Sequence, residues 1–192
     1  MKKVLAVVLA VAVVCVGAYS ADAQVPLAKA VFDGDFGKDS KDCPGPGLDQ
    51  LTIIVSNFNS WLGSIQFGVS FPPSLSYIGE APLPNANLVL GTSDVTVAPW
   101  FGVTIGYGNA PVNAFSTAVV HGIQVFWNCI GCNPPTDELV VVVPNGLTGL
   151  LEGAVWPTSV LVPIYGGTSV VCPTPVPVET QTWGQIKSLY GE

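Results

Sequence analysis

No arginine and a single histidine, His121, occur in the 192 residues of this chain. Acid–base catalysis, phosphoryl transfer and most metal chemistry draw on His, Arg and clustered carboxylates. Their scarcity argues against an enzyme. A Ser-His-Asp site would have to use His121, which falls on the apolar face of its strand. No pair of carboxylates stands in a glycosidase context. Asp137 and Glu138 are neighbours, and alternation points them apart. No glycine-rich loop is spaced to cradle a phosphate. Charged residues make up only 10% of the chain, and the pI is about 4.4. A basic nucleic-acid footprint is therefore missing, as is a polybasic membrane patch. A surface so poor in charge suits a protein that partners cover or that sits in an assembly.

The N-terminus reads as an export address. Lys2 and Lys3 precede an apolar run from Val4 to Ala18. That run has signal-peptide length and falls short of the ~20 residues that span a bilayer. Ala21-Asp22-Ala23 places small residues where a signal peptidase reads, so cleavage is expected before Gln24, with residues 1–23 as signal peptide. Cys15 follows Val14, which does not fit a lipoprotein signal. The remainder, 24–192, carries four lysines against twelve acids, a formal charge of −8. Its expected location is secreted: the extracellular space or the cell envelope.

What is abundant is β-forming. The chain holds 21 Gly, 17 Pro and 49% hydrophobic residues. Valine is plentiful, while Glu and Lys are scarce. Ile65, Phe67, Val69 and Phe71 alternate with polar or small residues, the pattern of a half-buried strand. Phe101, Val103, Ile105 and Tyr107 repeat it. So do Val119, His121, Ile123, Val125 and Trp127. Shorter strands are expected at Leu51–Ser56, Leu75–Ile78, Asn87–Gly91, Asp94–Ala98, Glu138–Val143, Ser159–Tyr165 and Thr168–Cys172. Pro72-Pro73 and Pro134-Pro135 end strands because proline cannot donate to a ladder. Asn145-Gly146 and Gly166-Gly167 are expected to supply positive φ. About ten short strands imply an all-β, two-layer antiparallel sandwich of jelly-roll or Ig-like type over residues 24–172.

Residues 173–182 read as a stiff Pro/Thr-rich linker. In 183–192, after the N-cap residue Thr182, Trp183, Ile186, Leu189 and Tyr190 share one face of a short helix. So short a helix needs a surface. It either folds back on its own domain or is read by a partner. The segment Thr182–Tyr190 resembles a TWGxIKxLY ending of secreted, uncharacterised bacterial β-sandwich proteins. In the body, Asn57 to Ile78, with Leu62-Gly63-Ser64-Ile65-Gln66-Phe67 before Pro72-Pro73-Ser74-Leu75-Ser76-Tyr77, is similar to the opening strands of cohesin-like domains. That resemblance implies a nine-stranded jelly roll and, in cellulosomes, dockerin binding.

Four cysteines remain after the signal: Cys43, Cys129, Cys132 and Cys172. An even count in an exported chain favours disulfides. Cys129–Cys132 as a local staple with Cys43–Cys172 as a long tie is the preferred pairing, and the other two stay open. Two sharper uses of the C-x-x-C spacing are redox catalysis, which wants a helix N-terminus, and zinc with His121 and Cys43 or Cys172. The stretch from Asp33 to Asp42 invites calcium. Asp33, Asp35 and Asp39 share the 1, 3, 7 offsets of a calcium loop, yet Gly37 and Pro44 stand where ligands are wanted, and Lys38 and Lys41 oppose a cation. Cofactors are otherwise expected to be none. Trp61 and Trp100, beside turns, offer stacking faces for a polysaccharide. The expected function is a non-catalytic structural or protein-binding module, with Trp183, Ile186, Leu189 and Tyr190 as contact. A carbohydrate-binding module is the alternative.

Overall fold

A computed structural model describes residues 24–132 and 136–174. Among them there is no helix. The strands are β1 (Leu27–Phe32), β2 (Ser40–Lys41), β3 (Gly47–Ser56), β4 (Ser60–Ser70), β5 (Leu75–Glu80), β6 (Leu88–Thr92) and β7 (Gly102–Gly106). They continue with β8 (Val112–Ala114), β9 (Ala118–Trp127), β10 (Glu138–Val143), β11 (Glu152–Val155), β12 (Val160–Pro163), β13 (Tyr165–Gly166) and β14 (Thr168–Val171). One sheet has the order β13-β1-β3-β9-β5. The other is built around β4. The all-β sandwich expected from alternation is what forms. Two pairs, β1 with β13 and β2 with β14, are parallel rather than antiparallel.

β4 is the axis of the larger sheet because its alternation is long enough to serve four neighbours. On one flank Phe67 to Ser64 pairs β7, and Leu62 to Ser60 pairs β8. On the other, Ser70 to Gly68 pairs β10, and Gln66 to Leu62 pairs β11. β7 with β8, and β10 with β11, thus act as two interrupted strands. Leu62, Ile65, Phe67 and Val69 point inward and are buried, facing Leu51, Ile53, Ile123 and Val125 of the other sheet. Burying one such side chain contributes about 2 kcal/mol.

Four local expectations change. Asp94–Ala98 is a turn-rich crossing with one bridge, Val69 to Asp94, since Asp94 folds an Asx turn onto Thr96. Phe101 is exposed, because the residue sits at φ 51° before β7 begins. In β9 the register shifts opposite Ile53/Ile54, so Val120 joins His121 in the interior and alternation breaks there. The Tyr107 hydroxyl donates to the Val120 carbonyl at 2.7 Å. Gly146 and Gly166 do not take positive φ; they are needed for close approach. A Cβ on Gly166 would stand 1.9 Å from the Val142 carbonyl oxygen. The expected signal peptide 1–23, most of the expected linker 173–182 and the expected helical tail 183–192 lie outside the described residues.

Candidate functional site

The outward face of the larger sheet is where register and composition combine into a surface. Leu88 pairs Gly106, Gly106 pairs Ser64, Ser64 pairs Ala154 and Ala154 pairs Leu161. One row across five strands thus reads Leu, Gly, Ser, Ala, Leu. Next to it runs Leu90, Thr104, Gln66, Glu152 and Pro163. Small residues make a floor, and exposed Leu88, Leu90 and Leu161 stand at its sides. Four strand spacings make the trough about 19 Å wide.

One end of the trough is aromatic. Trp61 stands edge-on to Phe115, with ring centroids 6.3 Å apart. The Trp156 N–H donates to the Trp61 carbonyl at 2.9 Å, which sets the two tryptophans side by side. All three rings are exposed. The other end is closed by the 94–101 crossing and by the insertion 144–151. Val95 and the Pro144 carbonyl cover Gly68, and the Gly146 N–H donates to the Phe101 carbonyl at 2.6 Å. The floor's polar groups satisfy one another: Gln66 Nε2 donates to Glu152 Oε1 at 2.7 Å, and the Thr148 hydroxyl to Gln66 Oε1 at 3.0 Å. From Gly153 to Val178 the sequence carries no charge.

Trp61 and Trp100 are 41% and 45% exposed. They do not share a platform. Trp100 packs beside Gly91, level with Phe67, some six residues along β4 from Trp61. The separation is about 20 Å. The aromatic neighbours that Trp61 does have are Phe115 and Trp156, which only the β4–β8 and β4–β11 registers reveal.

His121 is fully buried, and its contact is an acid. Its Nε2 donates to Glu80 Oε2. Glu80 also accepts from the Ser93 N–H at 2.5 Å, the Ser93 hydroxyl at 2.8 Å and the Tyr77 hydroxyl at 2.8 Å. Burial pushes the Glu80 carboxyl up, and the bonds from His121 and Ser93 outweigh it, holding the group below its ordinary range. The serine hydroxyl is spent on the glutamate and not on the imidazole, so the order of a Ser-His-acid relay is not met. The arrangement joins β5 and β9 of one sheet to Ser93, whose carbonyl accepts from Val69 of β4 in the other. Alternation puts His121 on an apolar face, and no local pattern marks Glu80, 41 residues away, as its partner.

All four expected cysteines are bonded, with different partners. The pairs are Cys43–Cys129 and Cys132–Cys172, in place of Cys129–Cys132 and Cys43–Cys172. β2 runs parallel beside β14, which brings Cys43 and Cys172 to the same end. The bend at Ile130-Gly131 enters between them, so each of its cysteines meets one flank. Cys43 donates its N–H to Cys132 Sγ at 2.9 Å, which shows how closely the four sulfurs gather. Bonded to one another, these four cysteines do not serve as zinc thiolates. The calcium set does not converge either. Asp33 bonds Lys38 and Lys41, Asp39 bonds Lys29 at 3.2 Å, and Asp35 accepts the Gly37 N–H at 2.9 Å. Among the described residues no group of three ligating side chains could hold a metal. The tail residues Trp183, Ile186, Leu189 and Tyr190 lie outside the described residues.

These features define a two-sheet all-β module with one built outer face. No known protein family matches the chain, and no curated protein does. Among solved structures it is similar in fold to cohesin modules. One is a non-cellulosomal cohesin from Archaeoglobus fulgidus, at 11% identity and TM-score 0.47, covering 78% of this chain and 93% of that one. Another is the third ScaB cohesin of R. flavefaciens in complex with a group 1 dockerin, at 10% identity and TM-score 0.47, covering 77% and 96%. A third is a type III cohesin from a cell-surface anchoring scaffoldin of Ruminococcus flavefaciens, at 9% identity and TM-score 0.46, covering 81% and 91%.

Proposed function

We propose that this chain is a secreted, non-catalytic module that binds a protein partner through the outward trough of its larger sheet. The observation that carries the reading is the cross-strand row Leu88-Gly106-Ser64-Ala154-Leu161. A small-residue floor with leucines on both sides has no use inside an isolated domain, where that face meets water. It suits a partner that lays apolar side chains into it. An α-helix is about 10–12 Å across, so the trough takes one helix with room, or two packed 8–10 Å apart. Trp61, Trp156 and Phe115 supply the aromatic anchors that carry most binding energy at such surfaces.

The test is saturable binding of labelled protein to intact cells of the source organism. Ala154→Arg puts a long charged side chain on the trough floor without touching the core. Binding is expected to fall at least about tenfold in Ala154→Arg, as an unpaired charge at a contact demands. Protease treatment of the cells should abolish it. If Ala154→Arg binds like the parent, the trough is not the surface. If periodate oxidation of the cell glycans abolishes binding and protease does not, a carbohydrate-binding reading takes its place.

A further inference from the structure

A second surface lies at the end of β4, away from the trough. Phe71, Pro72, Pro73, Leu75, Ser76 and Tyr77 line one side of an open groove of about 430 Å³, and Asp94 and Thr96 line the other. The Phe71 and Tyr77 rings stand 6.3 Å apart and tilted. Tyr77 is fixed from beneath, because its hydroxyl donates to the partly buried Glu80 carboxylate. The result is a rigid wall of two aromatic rings and two prolines with one carboxylate on the rim.

We infer that this groove seats the chain's own C-terminal segment, with Trp183 as anchor. The exit of the chain sets the geometry. Thr174 is tied to Asp137, its N–H donating at 2.5 Å and its hydroxyl at 2.7 Å. The next residue, Glu138, accepts the Ser74 N–H at the groove's edge at 3.2 Å. The exit and the groove are thus about two strand spacings apart, on the order of 10 Å. Residues 175–182, fully extended, reach about 25 Å, so Trp183 arrives with slack. The tail's apolar positions need a surface to become ordered, and this aromatic groove lies within their reach. Tryptophan against proline and tyrosine is the contact that proline-rich and aromatic grooves favour. Lys187, four residues on, is opposite in sign to Asp94 on the rim. The inference stands apart from the proposal for the trough.

Hydrogen exchange decides it. The chain from Gln24 to Glu192 is compared with one ending at Thr174 and with Trp183→Ala. Amides of 74–77 and 94–96 are expected to exchange about tenfold faster in both altered chains, the effect of losing a weak contact held at millimolar effective concentration. Amides in the middle of β9 should not change. Equal exchange at the groove in all three chains overturns the inference. So does a change spread equally over β9, which marks general destabilisation. Protection that grows with protein concentration overturns it as well, since the tail then occupies a second copy.

Discussion

At the end of the sandwich where β9 and β14 finish, the sheets are joined by Cys43–Cys129 and Cys132–Cys172. Along its side, where β5 and β9 face β4, they are joined by Glu80 and its bonds to His121, Tyr77 and Ser93. The first closure is covalent. It acts on the unfolded chain by restricting loops, and it responds to reductant. The second is a buried polar cluster. It acts in the folded state, where each member depends on the others, and it responds to pH. Two unlike fastenings make the sandwich hard to open by any one change of conditions, which suits a domain expected to work outside the cell.

Removing the covalent closure has the largest expected effect. The Cys43–Cys129 pair has a sequence separation of 86, and loop entropy for that length corresponds to about 4.6 kcal/mol. Cys43→Ala with Cys129→Ala should lower the urea midpoint accordingly. The fall should not depend on pH between 5 and 8, roughly the window in which none of the linked carboxylates changes charge. A mutant no less stable than the parent would mean that these two cysteines are not bonded to each other.

Glu80→Ala comes next, at about 3 kcal/mol, because it leaves His121, Ser93 and Tyr77 without their buried partner. Glu80→Gln keeps the shape and part of the bonding and should cost less. It also isolates the pH response. The folded carboxyl titrates below the ordinary glutamate value of 4.5, so its contribution is fully present above that value. As pH falls through the folded pKa, the carboxylate is protonated and that contribution disappears. Acid unfolding should therefore be shallower in Glu80→Gln than in the parent. The doubly Cys-substituted chain should keep the parent's acid slope. Identical acid slopes in Glu80→Gln and the parent would remove Glu80 from the account.

The two closures were unequally legible in the sequence. Count and compartment made four bonded cysteines readable, but their pairing depends on β2 lying parallel to β14, and no local pattern encodes that. His121 was readable as an interior residue from alternation around Ile123 and Val125. Its partner was not, because β5 and β9 are separated in sequence by β6, β7 and β8, all of which belong to the other sheet. The trough was hidden for the same reason. Gly106, Ser64 and Ala154 are unremarked small residues until register puts them in one row. Trp61 and Trp100 are both exposed, as their places beside turns suggest, but that Trp156 lies beside Trp61 depends on register. Period-2 signals tell which way a side chain points, and they are silent on which strand lies alongside.

The smallest effect tests whether burial is what separates the polar cluster from ordinary surface pairing. Lys41 bonds Asp33 at 2.6 Å and Asp49 at 2.7 Å and lies 5.8 Å over the Trp127 ring. Burial pushes its amine down, and the two carboxylates outweigh that and hold it above its ordinary value. The chemistry matches that of His121 with Glu80, but Asp33 is exposed and Asp49 half-buried, whereas His121 is fully buried. Lys41→Ala should therefore cost only about 1 kcal/mol. The cost should shrink in high salt, which screens exposed charges and leaves enclosed ones nearly untouched. Glu80→Ala should lose the same stability in low and high salt. If salt reduced both losses equally, the difference between the two clusters would not lie in burial. The seam at Glu80 would then be no more than another surface pair.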